Sequence, residues 1–496
     1  MLATVDSVAM ASGAEAPYDL APRRKAELVR ETETDYLVVG AGTSGMAFVD
    51  SLIAGADGEV VMADRRHGPG GHWLDAYPFV RLHQPSANYG VNSRSLGNDR
   101  IDETGPNAGF YERATAAEIC DYFARVLEQD FIPSGRVRFF GMTDYRGVDQ
   151  DGHHFTSLLT GEDTIIKVRR KLVDATYVES SIPSRHEPKF TVDPDVRVIP
   201  PNDLVDLHKP AAGFTVLGAG KTAMDTCNWL LDAGVDPDMI QWFRPRDPWL
   251  MNRTSTQPLE LVGAYMHLQS CWVEAAAEAE DATEFAHRLE GHDVFVRIDP
   301  HIEPRTFRGA TISTRELESL RTIERIVRQG KVLHIGTHRI VTDQGDIATN
   351  PNQVYVDCTA AGVRPTIARP IFETDRITLQ YVTIGIVPWG AATVGVVEAR
   401  ADDDAEKNRL CPPLVFTGDA ADIPRLVHPG LTGLLARSAD PDLSAWTETS
   451  RLNPASGAAD HFDDPRVPAA LASLAANIGT AMTNLERLTG APAATV

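Results

Sequence analysis

The residues with the clearest chemical potential are three glycines in the run Gly40-Ala-Gly42-Thr-Ser-Gly45. Glycine at the first position permits a tight turn, at the second a close approach of a pyrophosphate, and at the third close packing of a helix on a strand. The helix that follows presents the free N–H groups of its first turn, around Thr43 and Ser44, to phosphate oxygens. The run therefore predicts a dinucleotide-binding loop.

An acidic residue stands where such a loop needs one. Asp64 ends the next apolar segment, and a carboxylate there accepts hydrogen bonds from ribose hydroxyls. We expect its neighbour Arg65 to lie beside the same nucleotide. A glycine-rich turn in an unrelated α/β fold is the alternative interpretation, but such a turn does not require the acid.

A second run repeats the pattern with alanine in place of the third glycine: Gly218-Ala-Gly220-Lys221-Thr222-Ala223. Its next strand ends differently, because Arg244 stands where the first unit has an acid, and Arg246 follows. Guanidinium groups bind a 2′-phosphate bidentately, so this unit favours NADPH over NADH. The alternative is that both arginines are ordinary surface charges. Opposite charges at the two ribose ends imply two different dinucleotides.

These loops require strand–helix–strand units, and the hydrophobic pattern provides them. Residues 36–39 and 59–63 have the pattern of strands on either side of a helix at 44–54. The alternating segment 143–176 predicts a small antiparallel hairpin sheet. An Ala- and Glu-rich helical segment at 256–290 is interpreted as an insertion and as a candidate cap over a substrate pocket.

Composition limits the kinds of partner. The chain has 496 residues and a formal net charge of −22, which disfavours nucleic acid and an anionic membrane surface. No apolar stretch approaches the ~20 residues of a membrane span, and the first residues do not have the pattern of a signal peptide. Five scattered cysteines without a CxxC pair suit a reducing cytoplasm and exclude a dithiol flavoenzyme. Their spacing predicts no metal site.

Further segments resemble the flavoprotein monooxygenases with two dinucleotide folds, namely the flavin-containing, Baeyer–Villiger and N-hydroxylating families. One run is similar to their GG-x-W segment, whose backbone lies near FAD: Gly70-Gly71-His72-Trp73. The run from Tyr77 to Leu82 is similar to their YP-x-x-R-L segment, which leads toward the flavin ring, and Gln84 follows it. The FxGxxxH segment of these families is absent.

The resemblance implies FAD at the first loop and NADPH at the second. The fold class expected is α/β, with two Rossmann-like (glutathione-reductase-like) domains, the NADP domain inserted into the FAD domain, and a helical insertion. The expected limits are a flexible leader at 1–33, an FAD domain at 34–209 and 346–450, an NADPH domain at 210–345 and a helical tail at 451–496. The strand at 353–358 is expected to lead the chain back into the first domain.

Two segments compete for the place where the last helix of the FAD domain meets the flavin. Thr417-Gly418-Asp419 resembles the GD segment of related reductases, in which the Asp side chain would bind the ribityl chain. Residues 388–392, which open a helix, are the other candidate. His72 and His83 are the candidate catalytic residues, because both lie in segments expected near the flavin ring. A structural hydrogen-bonding role is the alternative for each histidine.

The function implied is that of a cytoplasmic FAD- and NADPH-dependent monooxygenase. It would insert one oxygen atom of O₂ into a small organic substrate, at N, S or a carbonyl carbon, through a C4a-(hydro)peroxyflavin. One alternative is a flavin reductase or dehydrogenase that transfers no oxygen, and the other is a nucleotide-binding protein without turnover. A homodimer is a further expectation, without an interface assigned to it.

Overall fold

The computed structural model describes residues 30–363 and 365–490. Most of the expected leader, 1–33, therefore lies outside the described residues. The strands, numbered along the chain, are β1 (Arg30–Val39), β2 (Val60–Ala63), β3 (Val137–Phe140), β4 (Thr143–Val148), β5 (His153–Ser157), β6 (Asp163–Asp174), β7 (Thr191–Val192), β8 (Arg197–Ile199), β9 (Phe214–Leu217), β10 (Ile240–Phe243), β11 (Pro248–Asn252), β12 (Phe295–Val296), β13 (Thr306–Ile312), β14 (Ile326–Val327), β15 (Val332–Ile335), β16 (Arg339–Thr342), β17 (Gly345–Ala348), β18 (Val354–Asp357), β19 (Phe372–Glu373) and β20 (Arg376–Thr378). The α-helices are α1 (Thr43–Gly55), α2 (Ala116–Arg125), α3 (Lys221–Asp232), α4 (Val262–Glu278), α5 (Ala282–Gly291), α6 (Thr314–Arg321), α7 (Val387–Arg400), α8 (Asp404–Leu410), α9 (Ile423–Ser438), α10 (Pro441–Thr449) and α11 (Arg466–Thr489).

The first sheet has the order β19-β20-β6-β1-β2-β3, and the β4–β5 hairpin extends it from β6. Strands β20, β6, β1, β2 and β3 pair in parallel. All four residues of β2 are buried, as expected for a parallel strand covered on both faces. The predicted strand at 36–39 is part of β1, which begins earlier, at Arg30.

The second sheet is parallel throughout and has the order β14-β10-β9-β18-β8. Strand β18 lies inside it, between β9 and β8, so the expectation that this strand returns to the first sheet is wrong. Strand β8 belongs to the second sheet as well, although it precedes the second glycine run. A short buried strand carries the same apolar pattern in either sheet, and therefore only pairing decides its place.

The fold is thus mixed α/β. Each of the two largest sheets has a core of parallel strands and carries a glycine loop that leads into an α-helix, after β1 in the first sheet and after β9 in the second. Two smaller sheets, β12-β11-β13 and β17-β16-β15-β7, lie beside them. The insertion at 256–290 is helical, as predicted, and forms most of α4 and α5. The C-terminal helix α11 packs along α4.

Two connections join the sheets, one before β8 and one after β18. They run side by side, since the Ser181 N–H donates to the Ala361 carbonyl at 3.1 Å. The imidazole Nε2 of His186 lies 3.2 Å from the Thr359 hydroxyl. Among the described residues, no helix combines the length and the apolar character needed to cross a membrane.

Candidate functional site

The first glycine loop (Gly40–Gly45) lies between β1 and α1 and has the geometry that its sequence predicts. Gly40 has a φ of +104°, which favours glycine, and it makes the turn out of the strand. A Cβ on Gly45 would lie 2.1 Å from the Gly40 carbonyl oxygen, so only glycine permits this packing. Helix α1 starts after Gly42 without a side-chain cap, and its first N–H groups have no side-chain acceptor.

Asp64 follows β2 and is 5% exposed. Its carboxylate accepts hydrogen bonds from the N–H groups of Ala41, at 2.7 Å, and Arg66, at 2.8 Å. The aspartate therefore fixes the shape of the loop, a role that the sequence does not indicate. Each carboxylate oxygen retains acceptor capacity for a hydroxyl.

The segment around Gly70 and Gly71 packs directly on this loop. The Gly70 N–H donates to the Ala41 carbonyl at 2.9 Å. Gly71 has a φ of +59°, and a Cβ there would lie 2.8 Å from the Gly42 Cα atom. Two glycines thus allow backbone to meet backbone at the point where a phosphate would be bound.

A chain of polar side chains continues from the loop. The Trp73 indole N–H donates to the Tyr89 hydroxyl at 2.7 Å, and the Thr43 hydroxyl lies 2.5 Å from the same oxygen. Burial raises the pKa of Tyr89 to about 12, so the phenol stays protonated. Tyr89 was not predicted from the sequence, in which it lies outside any motif.

His72 lies beside this group, with its ring centre 4.9 Å from that of Trp73. Burial, reinforced by the positive charge of Arg66, lowers the pKa of His72 to about 4. The imidazole is therefore neutral near pH 7 and can accept or donate a single hydrogen bond. Arg65 is half exposed and pairs with Glu179 at 2.8 Å, while the buried Arg66 pairs with Asp75 at 2.8 Å.

The two candidates for the flavin-facing helix occupy different places. Helices α1 and α7 run parallel, since a Cβ on Gly395 would meet the Phe48 carbonyl at 2.6 Å and one on Gly55 would meet Ala399 at 3.0 Å. The start of α7, residues 388–392, therefore lies at the same end of the sheet as the first glycine loop. There the buried Trp389 indole N–H has no hydrogen-bond partner within 30–363 and 365–490.

Asp419 lies elsewhere, beside the three-stranded sheet. It forms a β-bridge with Thr306, and its carboxylate accepts from the Ala421 N–H at 2.9 Å. The Asp419 side chain therefore caps a short helical turn. Its predicted contact with a flavin stays a prediction without a geometric partner.

The second glycine loop (Gly218–Ala223) lies between β9 and α3. Gly218 has a φ of +127°, and a Cβ on it would lie 2.6 Å from the Cys358 carbonyl oxygen. In the described part of the chain, no atom lies within 4 Å of the place where a Cβ on Gly220 would stand. Helix α3 begins there without a side-chain cap, so this loop faces open space. Thr222 and Ala223 belong to the first turn of that helix.

Arg244 follows β10, at the predicted position, but it is only 2% exposed. Its guanidinium lies 3.1 Å from the Asp247 carboxylate and 4.7 Å from the centre of the Trp242 ring. The ion pair with Asp247 is made by Nε, while Nη1 has no hydrogen-bond acceptor among the described residues. Arg246, in contrast, is exposed. The alternative interpretation, in which both arginines are ordinary surface charges, therefore does not hold for Arg244, because this side chain is buried.

A buried group that the sequence did not indicate lies where the two units meet. We call Arg113, Arg253 and Glu316 the arginine–glutamate cluster. Glu316 lies 3.2 Å from Arg113 and 2.7 Å from Arg253, and Arg253 is 0% exposed. Burial would raise the pKa of Glu316, but Lys221, Arg253 and Arg113 together hold it well below its ordinary value.

The cluster holds the backbone of the segment that contains His83. Arg113 donates to the Leu82 carbonyl at 3.1 Å and Arg253 to the His83 carbonyl at 3.4 Å. Burial and the cations of Lys221 and Arg253 keep the pKa of His83 well below its ordinary value, so this imidazole is neutral. Gln84, next in the chain, is half-buried.

The segment that begins at Tyr77 contacts the helix that follows the second glycine loop. The Tyr77 hydroxyl donates to the Asp225 carboxylate at 2.8 Å, and Asp225 also pairs with Lys221 of the second glycine loop. Phe79 stacks on Trp229 of α3, with ring centres 4.8 Å apart. The segment from Tyr77 to Gln84 therefore packs on α3, and it follows in the chain the Gly70–Gly71 segment that packs on the first glycine loop.

Known proteins were compared with this chain in three ways. No protein-family model matches the sequence. Solved structures with a similar arrangement include an ε-caprolactone-bound cyclohexanone monooxygenase, with a TM-score of 0.49, 14% identity, and coverage of 83% of this chain and 98% of that one. Another is an oxidized steroid monooxygenase bound to NADP, with a TM-score of 0.46, 13% identity, and coverage of 74% of this chain and 85% of that one. Likeness at this level carries no conclusion about the reaction of this chain.

Relatives in sequence are much closer. Uncharacterized proteins of Mycobacterium tuberculosis and Mycobacterium bovis are 44% identical to this chain over 433 residues, which is 87% of this chain and 80% of theirs. The chain therefore belongs to the same family as these mycobacterial proteins.

Proposed function

We propose that the protein is an FAD- and NADPH-dependent oxidoreductase. The observation that carries the proposal is the presence of two sheets with parallel cores, each with a glycine loop that leads into an uncapped α-helix. An uncapped helix N-terminus directs free N–H groups and a partial positive charge at an anion. Two such sites suit two dinucleotides that exchange electrons.

The residues at the first loop fit FAD. Gly42 and Gly71 let two backbone segments meet at the start of α1, whose free N–H groups can bind a pyrophosphate, and Asp64 can accept from ribose hydroxyls. The unpartnered indole N–H of Trp389 is a buried donor that lies near the start of α7. An acceptor on the flavin would satisfy this donor, which otherwise carries the cost of desolvation.

The residues at the second loop fit NADPH. Open space in front of Gly220 leaves room for the pyrophosphate beside the start of α3. The unpartnered Nη1 of Arg244 can donate to a phosphate, while Nε is paired with Asp247, which compensates part of the charge. The exposed Arg246 provides a second cation at the same strand end.

When bound, FAD supplies the acceptor for a hydride and the electrons for O₂ reduction. The protein side chains position and protect these groups. His83 and His72 provide neutral imidazoles that hold a proton at one ring nitrogen, and the arginine–glutamate cluster fixes the backbone on which His83 lies. The unpartnered Nη1 of Arg253 is a buried donor for an anionic or carbonyl oxygen.

We infer further that one oxygen atom of O₂ is transferred to a small organic substrate, at N, S or a carbonyl carbon. The support is the resemblance of residues 70–85 to flavoprotein monooxygenases, together with buried cations that can stabilise a developing negative charge between the two sites. A flavin reductase that releases all its electrons to O₂ as H₂O₂ is the rival function.

The purified protein is expected to be yellow, to release FAD on denaturation and to lose its flavin absorbance when NADPH is added under argon. These properties follow from two occupied sites. A colourless protein that cannot be reconstituted with FAD contradicts the proposal. On admission of air, a yield of H₂O₂ equal to the NADPH consumed, with every amine, sulfide and ketone offered, supports the reductase instead.

An Arg244→Ala variant is expected to lower the preference for NADPH over NADH, as the ratio of kcat/KM values, by about 10-fold to 100-fold. The reason is the loss of the guanidinium charge and of the unpartnered Nη1 donor of Arg244. Stopped-flow reduction with each coenzyme measures the ratio. Arg246→Ala is the matched control for the exposed neighbour, and an unchanged preference in Arg244→Ala contradicts the assignment of the 2′-phosphate site.

A further inference from the structure

Outside the nucleotide sites, three metal-ligating side chains converge in the helical insertion. His267 and Cys271 lie on α4, one helical turn apart, and His292 follows the end of α5. One ligand atom from each lies within 4.8 Å of those of the other two. Sequence spacing predicted no metal site, because the third ligand comes from a different helix and only the fold brings it near.

The distances suit tetrahedral coordination. The Cys271 Sγ atom lies 3.5 Å from the His267 Nε2 atom. Zinc–sulfur and zinc–nitrogen bonds of ordinary length, at a tetrahedral angle, place these two atoms about 3.6 Å apart. The pair is thus already spaced for a common ion, and closing the site requires only the exposed His292 ring to move inward.

A carboxylate lies beside these three side chains. The Glu274 Oε2 atom lies 3.9 Å from the His292 Nε2 atom, and its other oxygen accepts from the Ser473 hydroxyl of α11. Glu274 can orient His292 or serve as a fourth ligand itself. Either role connects α4, α5 and α11 at one point.

We propose that His267, Cys271 and His292 bind a zinc ion that fastens α5 to α4, beside the attachment of α11. A thiolate with two imidazoles favours zinc over hard cations such as Mg²⁺. Cys271 is buried, while both histidines are exposed, so an ion from solvent reaches the site at its histidine side. On binding, the S–H bond of Cys271 breaks, its proton passes to solvent and a zinc–sulfur bond forms, without a change of oxidation state.

The site is tested on the full-length protein with Co²⁺ as a spectroscopic probe and Zn²⁺ as a competitor. We expect one equivalent of Co²⁺ to give a thiolate-to-cobalt charge-transfer band and tetrahedral d–d bands, and Zn²⁺ to displace it. Cys271→Ser should remove the charge-transfer band, and His292→Gln should weaken Zn²⁺ binding by about 100-fold. His292 is exposed, so that variant is expected to fold even if Cys271→Ser does not.

Cys120→Ser and His338→Gln are the matched controls, because they remove a thiol and an exposed imidazole that lie outside the group. Both should bind Co²⁺ like the unaltered protein. A charge-transfer band that persists in Cys271→Ser but disappears in Cys120→Ser overturns the proposal. So does a complex without any thiolate band, or Zn²⁺ affinity that His292→Gln leaves unchanged.

Discussion

A Gly220→Asp variant is expected to keep its FAD and to lose reduction by NADPH. No atom of the residues that the structure describes lies within 4 Å of the new Cβ, so the side chain fits without displacing the protein. Aspartate is also a favourable residue at the start of a helix. Its carboxylate, however, would occupy the space proposed for the pyrophosphate. Like charges about 4 Å apart repel by ~4 kcal/mol at an effective dielectric constant of 20, so kcat/KM for NADPH should fall by at least ~100-fold.

Anaerobic stopped-flow reduction of the flavin measures this effect, and thermal unfolding checks that the fold is intact. The matched variant is Gly42→Asp, which places the same carboxylate at the start of α1. That variant should be isolated without FAD. If Gly220→Asp is reduced by NADPH at the original rate, the second glycine loop does not bind the coenzyme.

A Glu316→Gln variant is expected to lose about 3–5 kcal/mol of unfolding free energy. The carboxylate is the shared partner of Arg113 and Arg253, which are 8% and 0% exposed. Without it, two buried cations remain unpaired at the contact between the two units. Urea titrations followed by tryptophan fluorescence measure the loss, and the His83 segment should become more exposed to hydrogen exchange.

The effect should depend on pH in a defined direction. The cations around Glu316 hold its pKa in the folded protein well below the ordinary value of ~4.3. Its contribution to stability is therefore complete above about pH 4.3 and is lost progressively as the pH falls toward the folded-state pKa. The difference between the unaltered protein and Glu316→Gln should shrink only below this pH. Glu318→Gln, exposed on the same helix, is the control and should change stability by no more than about 0.5 kcal/mol.

The glycine loops were predictable from the sequence because each depends on neighbours along the chain. A turn, a helix start and an acid at a strand end are local features, and the structure places Gly40, Asp64 and Gly218 as those features require. The hairpin at 143–176 was predictable for the same reason, since alternation and turn residues encode it directly.

The arginine–glutamate cluster was not predictable in this way. Arg113 and Glu316 are 203 positions apart, and neither lies in a motif. Burial of charge is a property of the folded chain, because the same residues read as ordinary surface charges in a sequence. The sequence prediction assigned strand β18 to the wrong sheet for a related reason. The sequence of an apolar strand of four residues does not indicate which sheet the strand joins.

For the flavin-facing helix, the residue types and the position in the fold favour different segments. Thr417-Gly418-Asp419 has the residues that a family comparison favours, whereas α7 has the position, directly after β20 and parallel to α1. Contact between Gly395 and the backbone of α1 places the start of α7 at the same end of the sheet as the first glycine loop, while the contact of either segment with a flavin stays a prediction. A glycine in a helix interior is a weak signal in a sequence, since it is unfavourable for the helix and says nothing about the partner.

The paired connections between the sheets constrain how the second unit can move. A single linker would allow rotation about every axis, but two linkers joined from Ser181 to Ala361 form a short ribbon. Twisting that ribbon stretches the hydrogen bond between its halves, while bending it across its width leaves the bond intact. The two connections are therefore joined to each other as well as to the sheets, and a displacement of one connection relative to the other requires this hydrogen bond to break.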